Sequence, residues 1–294
     1  MKRTIEIAAS FTGKISTGAY ENESPFFSVK DVMEMDEADY IADEQIKSRQ
    51  QELYKICHDQ FKHHAEISNA ERIAKEYKNL RFYEGQNGVK YPSVTSIIGW
   101  DEDFYVSEDA LAQYAARGTI IDKQVEIFLL TGEWKEPKDI PEIYPELVIL
   151  KQGNLGLTFD DVDFRAFYEA YPFKVISCQG VVLNHQHRYG GRMDIKAIIE
   201  STNKGKWDKV EGVIFDVPII LDIKSGSIDK TKHLKQQTAY LHCQDNNDVA
   251  AVGLIPLNKE TQQGFSKPIM ESNKEKYWHL FIKDRENFKK RFGI

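Results

Sequence analysis

The hydrophobic pattern of the first part of the chain predicts two strands followed by helix. β-Prone runs stand at residues 3–11 and 26–32, and the connection between them contains Gly, Ser and Asn. Residues 43–64 and 69–80 then carry apolar side chains at helical spacing, although the stripe is irregular. The turn-rich sequence EGQNG at 84–88 ends this region.

We therefore predict two domains in a chain of 294 residues, a length that suits one large domain or two modest ones. Residues 1–83 are expected to form a small N-terminal ββα module of unknown function, which would contact DNA or a protein partner. Residues 84–294 are expected to form the larger domain.

The larger domain has the predicted element order α-β-β-β-α-β. The elements are a helix at 108–131, a helix at 160–171, strands at 174–184, 191–200 and 212–224, a helix at 230–244, a buried strand at 249–257, a last strand or turn at 276–284, and a short closing helix. The middle strands should pair as antiparallel hairpins, and the strand after the helix should return beside them through a crossover. This pattern predicts an α/β (α+β) fold with a mixed central sheet flanked by helices.

Charged residues stand where the pattern predicts buried strands. Asp222 and Lys224 end the apolar run VPIIL, and they share one face because side chains two positions apart on a strand point the same way. Asp194 follows a predicted Gly-Gly turn on the neighbouring strand. A divalent cation relieves the repulsion between converging carboxylates, and magnesium combines carboxylates with waters and substrate phosphates. The sequence thus predicts metal-assisted phosphodiester hydrolysis, in which Lys224 orients or helps to deprotonate a water.

Two predicted helices place further polar residues on single faces. Gln236 and Tyr240 are four residues apart, as are Asp122 and Glu126. For Asp122 we weigh two interpretations about equally, a position at the metal and an acidic surface beside Lys123. For Glu126 we prefer the surface.

Five segments stand out in chain order: YPSVTSII (91–98), ARGTIID (116–122), GGRMD (190–194), DIKSG (222–226) and QQTAY (236–240). Together they resemble the PD-(D/E)XK nuclease superfamily. The similarity is to its RecB-like branch, which includes a mitochondrial genome-maintenance exonuclease and many phage nucleases. Each segment alone is a weak signal, whereas five in this order, within residues 85 to 290, are fairly specific.

The resemblance implies a restriction-endonuclease-like core and a role for each matching residue. The implied metal ligands are Asp122, Asp194, Asp222 and the carbonyl of Ile223. The implied catalytic set is Asp194, Asp222, Lys224, Gln236 and Tyr240. The expected DNA contacts are Arg117, Ser225, Lys232 and Lys235, although Arg117 could instead pair with an acid. Ser93 and Thr95 are expected to cap or turn the chain rather than do chemistry.

The chain departs from the branch at three points. Asp122 stands where the branch usually has histidine, and Gln179 stands where it often has glutamate. Some members hold an Fe–S cluster with four cysteines, but this chain has three scattered ones, Cys57, Cys178 and Cys243. We therefore expect magnesium or manganese as the cofactor and no Fe–S cluster.

Charge narrows the functional classes. The net charge of −7 argues against a protein that coats DNA indiscriminately, but not against a nuclease, because the local field governs phosphate contact. Seven acids and no base lie in 31–44, whereas lysines cluster near the predicted site. No apolar run reaches the length of a membrane span. We expect no membrane association and a cytoplasmic location, in a bacterium or a phage-infected cell.

The leading hypothesis is a magnesium-dependent DNA exonuclease of recombination, repair or phage DNA processing, acting on single- or double-stranded DNA with ends. One alternative is an endonuclease of the same fold, and another is a catalytically silent DNA-binding or adaptor protein. Residues 84–116 arching over Asp222 would favour the exonuclease.

Overall fold

The computed structural model describes residues 2–16, 22–36, 42–77, 80–85, 88–101, 107–159, 162–257, 261 and 263–294. The chain forms two compact units, one of residues 1–91 with 288–294 and one of residues 92–287. The predicted domain boundary between residues 83 and 84 stays a prediction. Within the described ranges, no helix is both long and apolar enough to cross a membrane.

The first unit contains a long antiparallel strand pair and a long helix. The elements are β1 (Lys2–Thr12), β2 (Ile15–Ser16), β3 (Asn22–Glu23), β4 (Phe26–Asp36), α1 (Ala42–Glu76), β5 (Phe82–Glu84) and the start of β6 (Lys90–Pro92). Strand β1 pairs with β4, β2 with β3, and β5 with β6. Ile7 of β1 and Leu53 of α1 are buried, which is the pattern of an amphipathic strand covered by a helix.

Two predicted helices in this unit are one helix in the structure. Helix α1 runs for 35 residues, through both 43–64 and most of 69–80. Residues 65–68, AEIS, contain neither proline nor glycine, so nothing interrupts the backbone hydrogen bonds there.

Among the described residues, the second unit holds a five-stranded sheet that is mixed, as the sequence predicts, although its short strand at 269–271 was not predicted. Its strands are β7 (Lys174–Asn184), β8 (Tyr189–Ile198), β9 (Pro218–Lys224), β10 (Ala251–Pro256) and β11 (Ile269–Glu271). The strand order is β11-β10-β9-β8-β7. Strands β9 and β10 are parallel, and the other neighbouring pairs are antiparallel. The crossover that the element order predicts is therefore confirmed.

The helices of this unit are α2 (Val94–Gly99), α3 (Glu108–Thr131), α4 (Glu146–Gln152), α5 (Phe164–Ala170), α6 (Lys204–Trp207), α7 (Lys230–Leu241) and α8 (Trp278–Phe292), of which α8 also contributes residues to the first unit. Helix α3 has the predicted bounds. The Ser107 side chain accepts a hydrogen bond from the amide of Ala110, and Gly132 ends the helix at a positive φ of 75°. The predicted helix 160–171 is shorter, and residues 160–161 lie outside the described residues.

Two predictions of local structure are wrong. Residues 278–284 are helical rather than a strand or turn, because Trp278, Phe281 and Arg285 recur at helical spacing and contact the β7–β8 hairpin. The Gly-Gly pair before Asp194 lies within β8, and the hairpin turn precedes it.

The main apolar core joins α3 and α5 to one face of the sheet. It includes Ile121 and Val125 of α3, Phe164 and Phe167 of α5, Ile195 of β8, and Ile219, Leu221 and Ile223 of β9. Because side chains alternate along a strand, Asp222 and Lys224 point away from this core, as predicted. Helix α7 packs along β8, β9 and β10.

Candidate active site

The carboxyl end of β9 places an aspartate and a lysine side by side. Asp222 is 2% exposed, and its Oδ2 atom lies 2.6 Å from Nζ of Lys224. Oδ2 is enclosed by protein, and this contact lacks the angles of a hydrogen bond. A buried carboxylate is costly without a compensating charge. The Lys224 ammonium supplies that charge here.

Asp194 lies where β8 and β9 separate. The last paired residues of the two strands are Ile195 and Leu221. One residue further, Oδ2 of Asp194 accepts a hydrogen bond of 2.9 Å from the amide of Ile223. The carboxylate therefore replaces a backbone partner at the end of the ladder, which fixes it beside β9. Burial, followed by the charges of Asp222 and Asp122, raises the pKa of Asp194 well above its ordinary value.

Asp122 of α3 joins the same electrostatic cluster. Burial first, and then the negative charge of Asp222, raises the pKa of Asp122 to about 7, against the lowering effect of Lys224. The neighbouring Lys123 forms an ion pair with Glu146 instead, with Nζ 3.0 Å from the Glu146 carboxylate. The structure thus brings together the three predicted carboxylates and the predicted lysine.

The donor set fits a hard divalent cation in its chemistry. The charge of Asp222 raises the pKa of both Asp122 and Asp194, and an enclosed oxygen of Asp222 accepts no hydrogen bond from the residues that the structure describes. Oxygen ligands of this kind suit magnesium or manganese. Across the described residues, however, no group of three or more His, Cys, Asp or Glu side chains is already spaced as a metal site. The carboxylates would therefore need to draw together around a cation.

Lys224 carries a positive charge in this setting. Burial alone would lower its pKa, but the nearby Asp222, Asp194 and Asp122 outweigh burial and hold the pKa above its ordinary value. A charged ammonium cannot accept a proton, so this lysine is suited to orienting water and stabilising negative charge.

Helix α7 supplies the Gln236–Tyr240 pair. Nε2 of Gln236 donates a hydrogen bond of 3.0 Å to Oη of Tyr240, as their spacing on one helical face allows. Tyr240 is 3% exposed and lies against Gly191 of β8. A Cβ atom at residue 191 would lie 2.2 Å from Cε1 of Tyr240. Glycine at this position is what allows α7 to bring the pair close to β8.

Gly191→Ala is expected to lower the free energy of unfolding by about 1–3 kcal/mol, because the buried Tyr240 ring has to move. Urea unfolding measures the change. The control is Gly118→Ala in α3, where an added Cβ meets no atom within 4 Å. That variant should be more stable by about 0.5–1 kcal/mol, since alanine favours a helix. Equal stability of the two variants would contradict the close packing of Gly191.

The four expected DNA contacts have different surroundings. Arg117 is 8% exposed and donates hydrogen bonds of 2.6 Å to the backbone carbonyls of Thr158 and Ser225. Lys235 forms an ion pair with Asp284. These contacts give Arg117 a role in holding the chain just after Lys224. The DNA contacts of Arg117, Ser225, Lys232 and Lys235 stay predictions.

The structure also shows the local conformation at Ser93 and Gln179, two positions singled out from the sequence. Ser93 caps α2, since its hydroxyl accepts a hydrogen bond of 3.0 Å from the amide of Ser96. The expectation that Ser93 caps the chain is confirmed. Gln179 of β7 has a positive φ of 53° and lies between residues that pair with both neighbours of Asp194. A strained non-glycine backbone beside charged groups is typical of functional sites.

His233 of α7 is the residue that the sequence interpretation overlooked. Its Nδ1 atom is enclosed, and it senses the charges of Lys224 and Asp222. The available signal was its spacing, three residues before Gln236 and seven before Tyr240, which places it on the same helical face. Comparison with protein-family models and with curated proteins finds no match to this chain.

Proposed function

We propose that this chain is a metal-dependent deoxyribonuclease of the PD-(D/E)XK superfamily, in its RecB-like branch. The observation that carries the proposal is the cluster of Asp122, Asp194 and Asp222 around Lys224 at the end of β9. Acids and a lysine in this arrangement suit hydrolysis of a phosphodiester with metal assistance.

The fold supports the finer structural part of the proposal. A hairpin of β7 and β8, the central strand β9, the helix α7 and the parallel strand β10 follow one another in the order expected of a restriction-endonuclease-like core. Helix α3 precedes them and contributes Asp122. We further propose that β1, β4 and α1 act as an N-terminal ββα module that contacts DNA or a protein partner.

Each residue of the site has a proposed task. Asp122, Asp194, Asp222 and the carbonyl of Ile223 would hold magnesium or manganese, which supplies Lewis-acid activation of water and of the phosphate. Lys224, being charged, stabilises the negative charge that develops on the phosphate and orients the attacking water. The Gln236–Tyr240 hydrogen bond would hold these two side chains in place on α7. Ser225 would offer its hydroxyl to a phosphate oxygen.

An exonuclease of DNA processing, repair or recombination is the form we favour, on the strength of the motif resemblance. An endonuclease would use the same chemistry on an open cleft. The arch over Asp222 that would separate the two includes residues 102–106, which lie outside the described residues. A silent DNA-binding protein would keep the Lys224–Asp222 ion pair permanently in place of a cation.

The test is incubation of purified protein with end-labelled linear DNA and with covalently closed single-stranded circles. We expect cleavage of linear DNA in magnesium or manganese and none in excess chelator, because the acids need a cation to act together. Linear strands should be cut faster than circles.

The matched control is Asp222→Asn, which keeps the shape of the side chain and removes its charge. Full activity of the wild type in chelator, or of this variant in magnesium, would exclude the metal mechanism. Equal rates on circles and linear strands would identify an endonuclease. DNA binding without cleavage under every metal condition would leave the catalytically silent DNA-binding or adaptor protein as the remaining hypothesis.

A further inference from the structure

His233 lies on the side of α7 that faces the site, yet no part of the mechanism above uses it. Residues 233, 236 and 240 fall within one arc of a helix, so the imidazole extends the Gln236–Tyr240 row towards the start of α7. Nδ1 of His233 is enclosed by protein and has no hydrogen-bond partner among the residues that the structure describes. A buried polar atom without a partner is rare and calls for an explanation.

The charges around His233 identify its surroundings. Burial, and then the positive charge of Lys224, lowers the pKa of His233, while Asp222 on the same strand acts in the opposite direction. On its own helix, Asp229 raises the pKa and Lys232 lowers it. The ring is therefore neutral at neutral pH, and a neutral imidazole has one nitrogen that accepts a hydrogen bond.

The enclosure of this nitrogen limits which groups it can meet. Because solvent does not reach Nδ1, an incoming phosphate would not reach it either unless the helix moved. Its partner should thus come from the protein. Lys224 is the positive group whose charge acts most strongly on His233, and an ammonium has three N–H donors.

The ion pair of Lys224 suggests when this contact forms. The ammonium lies 2.6 Å from the Asp222 carboxylate, which is also the proposed metal ligand. A cation and an ammonium compete for one carboxylate, so the ammonium needs another partner once Asp222 serves a cation.

We infer that His233 positions Lys224. When the Lys224 ammonium turns away from Asp222, Nδ1 of His233 accepts a hydrogen bond from it. The inference rests on the proposed function, since it assigns a place to the lysine of that site. His233 acts through Lys224 and is a positioning residue rather than a catalytic one.

The first test compares His233→Leu, which removes the acceptor, with His233→Asn, whose side-chain oxygen can replace Nδ1. For the leucine variant we expect kcat to fall by roughly 10- to 100-fold, as for a misplaced catalytic group, with KM for DNA nearly unchanged. The asparagine variant should recover most of kcat. Thermal unfolding checks that both variants fold.

The second test needs no activity. In ¹⁵N-lysine-labelled protein with magnesium, the Lys224 ammonium signal is assigned by its absence from Lys224→Met. A hydrogen-bonded ammonium exchanges slowly, so the signal should persist in wild type and in His233→Asn and broaden in His233→Leu. The control is His279→Asn, because His279 is exposed on α8 and contacts the carbonyl of Glu275. It should behave as wild type.

The outcomes separate the two proposals. If Lys224→Met abolishes cleavage but His233→Leu changes neither kcat nor the ammonium signal, the positioning role is overturned and the nuclease stands. If the asparagine variant folds but fails like the leucine variant, the acceptor role is overturned. If Lys224→Met cleaves normally, the proposed function itself fails.

Discussion

Lys224→Ala is expected to lower the rate of DNA cleavage by roughly 10²- to 10³-fold while DNA affinity changes by only a few-fold. The side chain is mostly buried and its ammonium is charged, so it adds little to the surface that meets DNA. Its effect should instead appear where negative charge develops on the phosphate. Single-turnover cleavage measures the rate, and binding to DNA in calcium or chelator measures the affinity.

The matched control is Lys196→Ala. Lys196 is also a strand lysine paired with an acid, since its Nζ lies 2.7 Å from Asp248, but the partner is exposed and outside the acidic cluster. We expect cleavage within about two-fold of wild type, because exposed ion pairs contribute little. Parallel losses of affinity and cleavage in Lys224→Ala would assign the lysine to phosphate binding or to folding.

Asp122→Asn should make the metal-free protein more stable at pH 8 and leave it nearly unchanged at pH 4. The pKa of Asp122 is about 7 in the folded chain, against an ordinary value of 3.8. Below pH 4 the Asp122 carboxyl group is protonated in both the folded and the unfolded chain. Its ionisation therefore does not change the free energy of unfolding there. Between pH 4 and pH 7 the unfolded chain loses this proton while the folded chain keeps it, so wild-type stability falls as pH rises.

Above pH 7 the carboxylate is charged in both states and the full cost of burying it persists. Asparagine never acquires that charge, so the free energy of unfolding of the Asp122→Asn variant should not fall in this way as pH rises. In the wild type the fall has a limiting slope of about 1.4 kcal/mol for each pH unit. Urea unfolding in chelator from pH 4 to pH 8 measures the difference. The raised pKa of Asp194 predicts the same direction for Asp194→Asn.

Asp216→Asn provides the control of opposite sign. Hydrogen bonds from Ser201 lower the pKa of Asp216, so its contribution to stability is present at neutral pH and is lost as pH falls. This variant should not gain stability at pH 8. In magnesium, Asp122→Asn should need a higher metal concentration for half-maximal cleavage, because one oxygen ligand has lost its charge. An unchanged magnesium requirement and an unchanged pH profile would contradict both the metal role of Asp122 and its raised pKa.

The parts of the fold that follow from local pattern were predictable. Helix α3 and strand β7 have the predicted bounds because capping residues set the ends of α3 and the sequence of β7 is rich in β-branched residues. The end of the chain was misread because its aromatic residues also fit a strand, and only packing against the β7–β8 hairpin decides for α8. The hairpin pairing of β7, β8 and β9 and the crossover to β10 followed from general rules of strand connection, whereas β11 was not predicted.

The site was predictable in its residue types but not in its contacts. Asp194, Asp222 and Lys224 stand out as charges in apolar strands, whereas the enclosed Nδ1 of His233 depends on how α7 lies against β9. Arg117 was likewise interpreted as a DNA contact or as the partner of an acid, and the two backbone carbonyls that it contacts lie far along the chain. Long-range contacts of this kind leave no periodicity in the sequence.

The close approach of Gly191 and Tyr240 bears on how related sequences would diverge. Any side chain larger than hydrogen at residue 191 meets the tyrosine ring, and the ring is held by Gln236. A larger residue at position 191 becomes tolerable only after Tyr240 has changed to a smaller residue, and that change removes the hydrogen-bond partner of Gln236. The three positions should therefore coevolve as a single trait, with intermediate combinations rare in any lineage that keeps the fold.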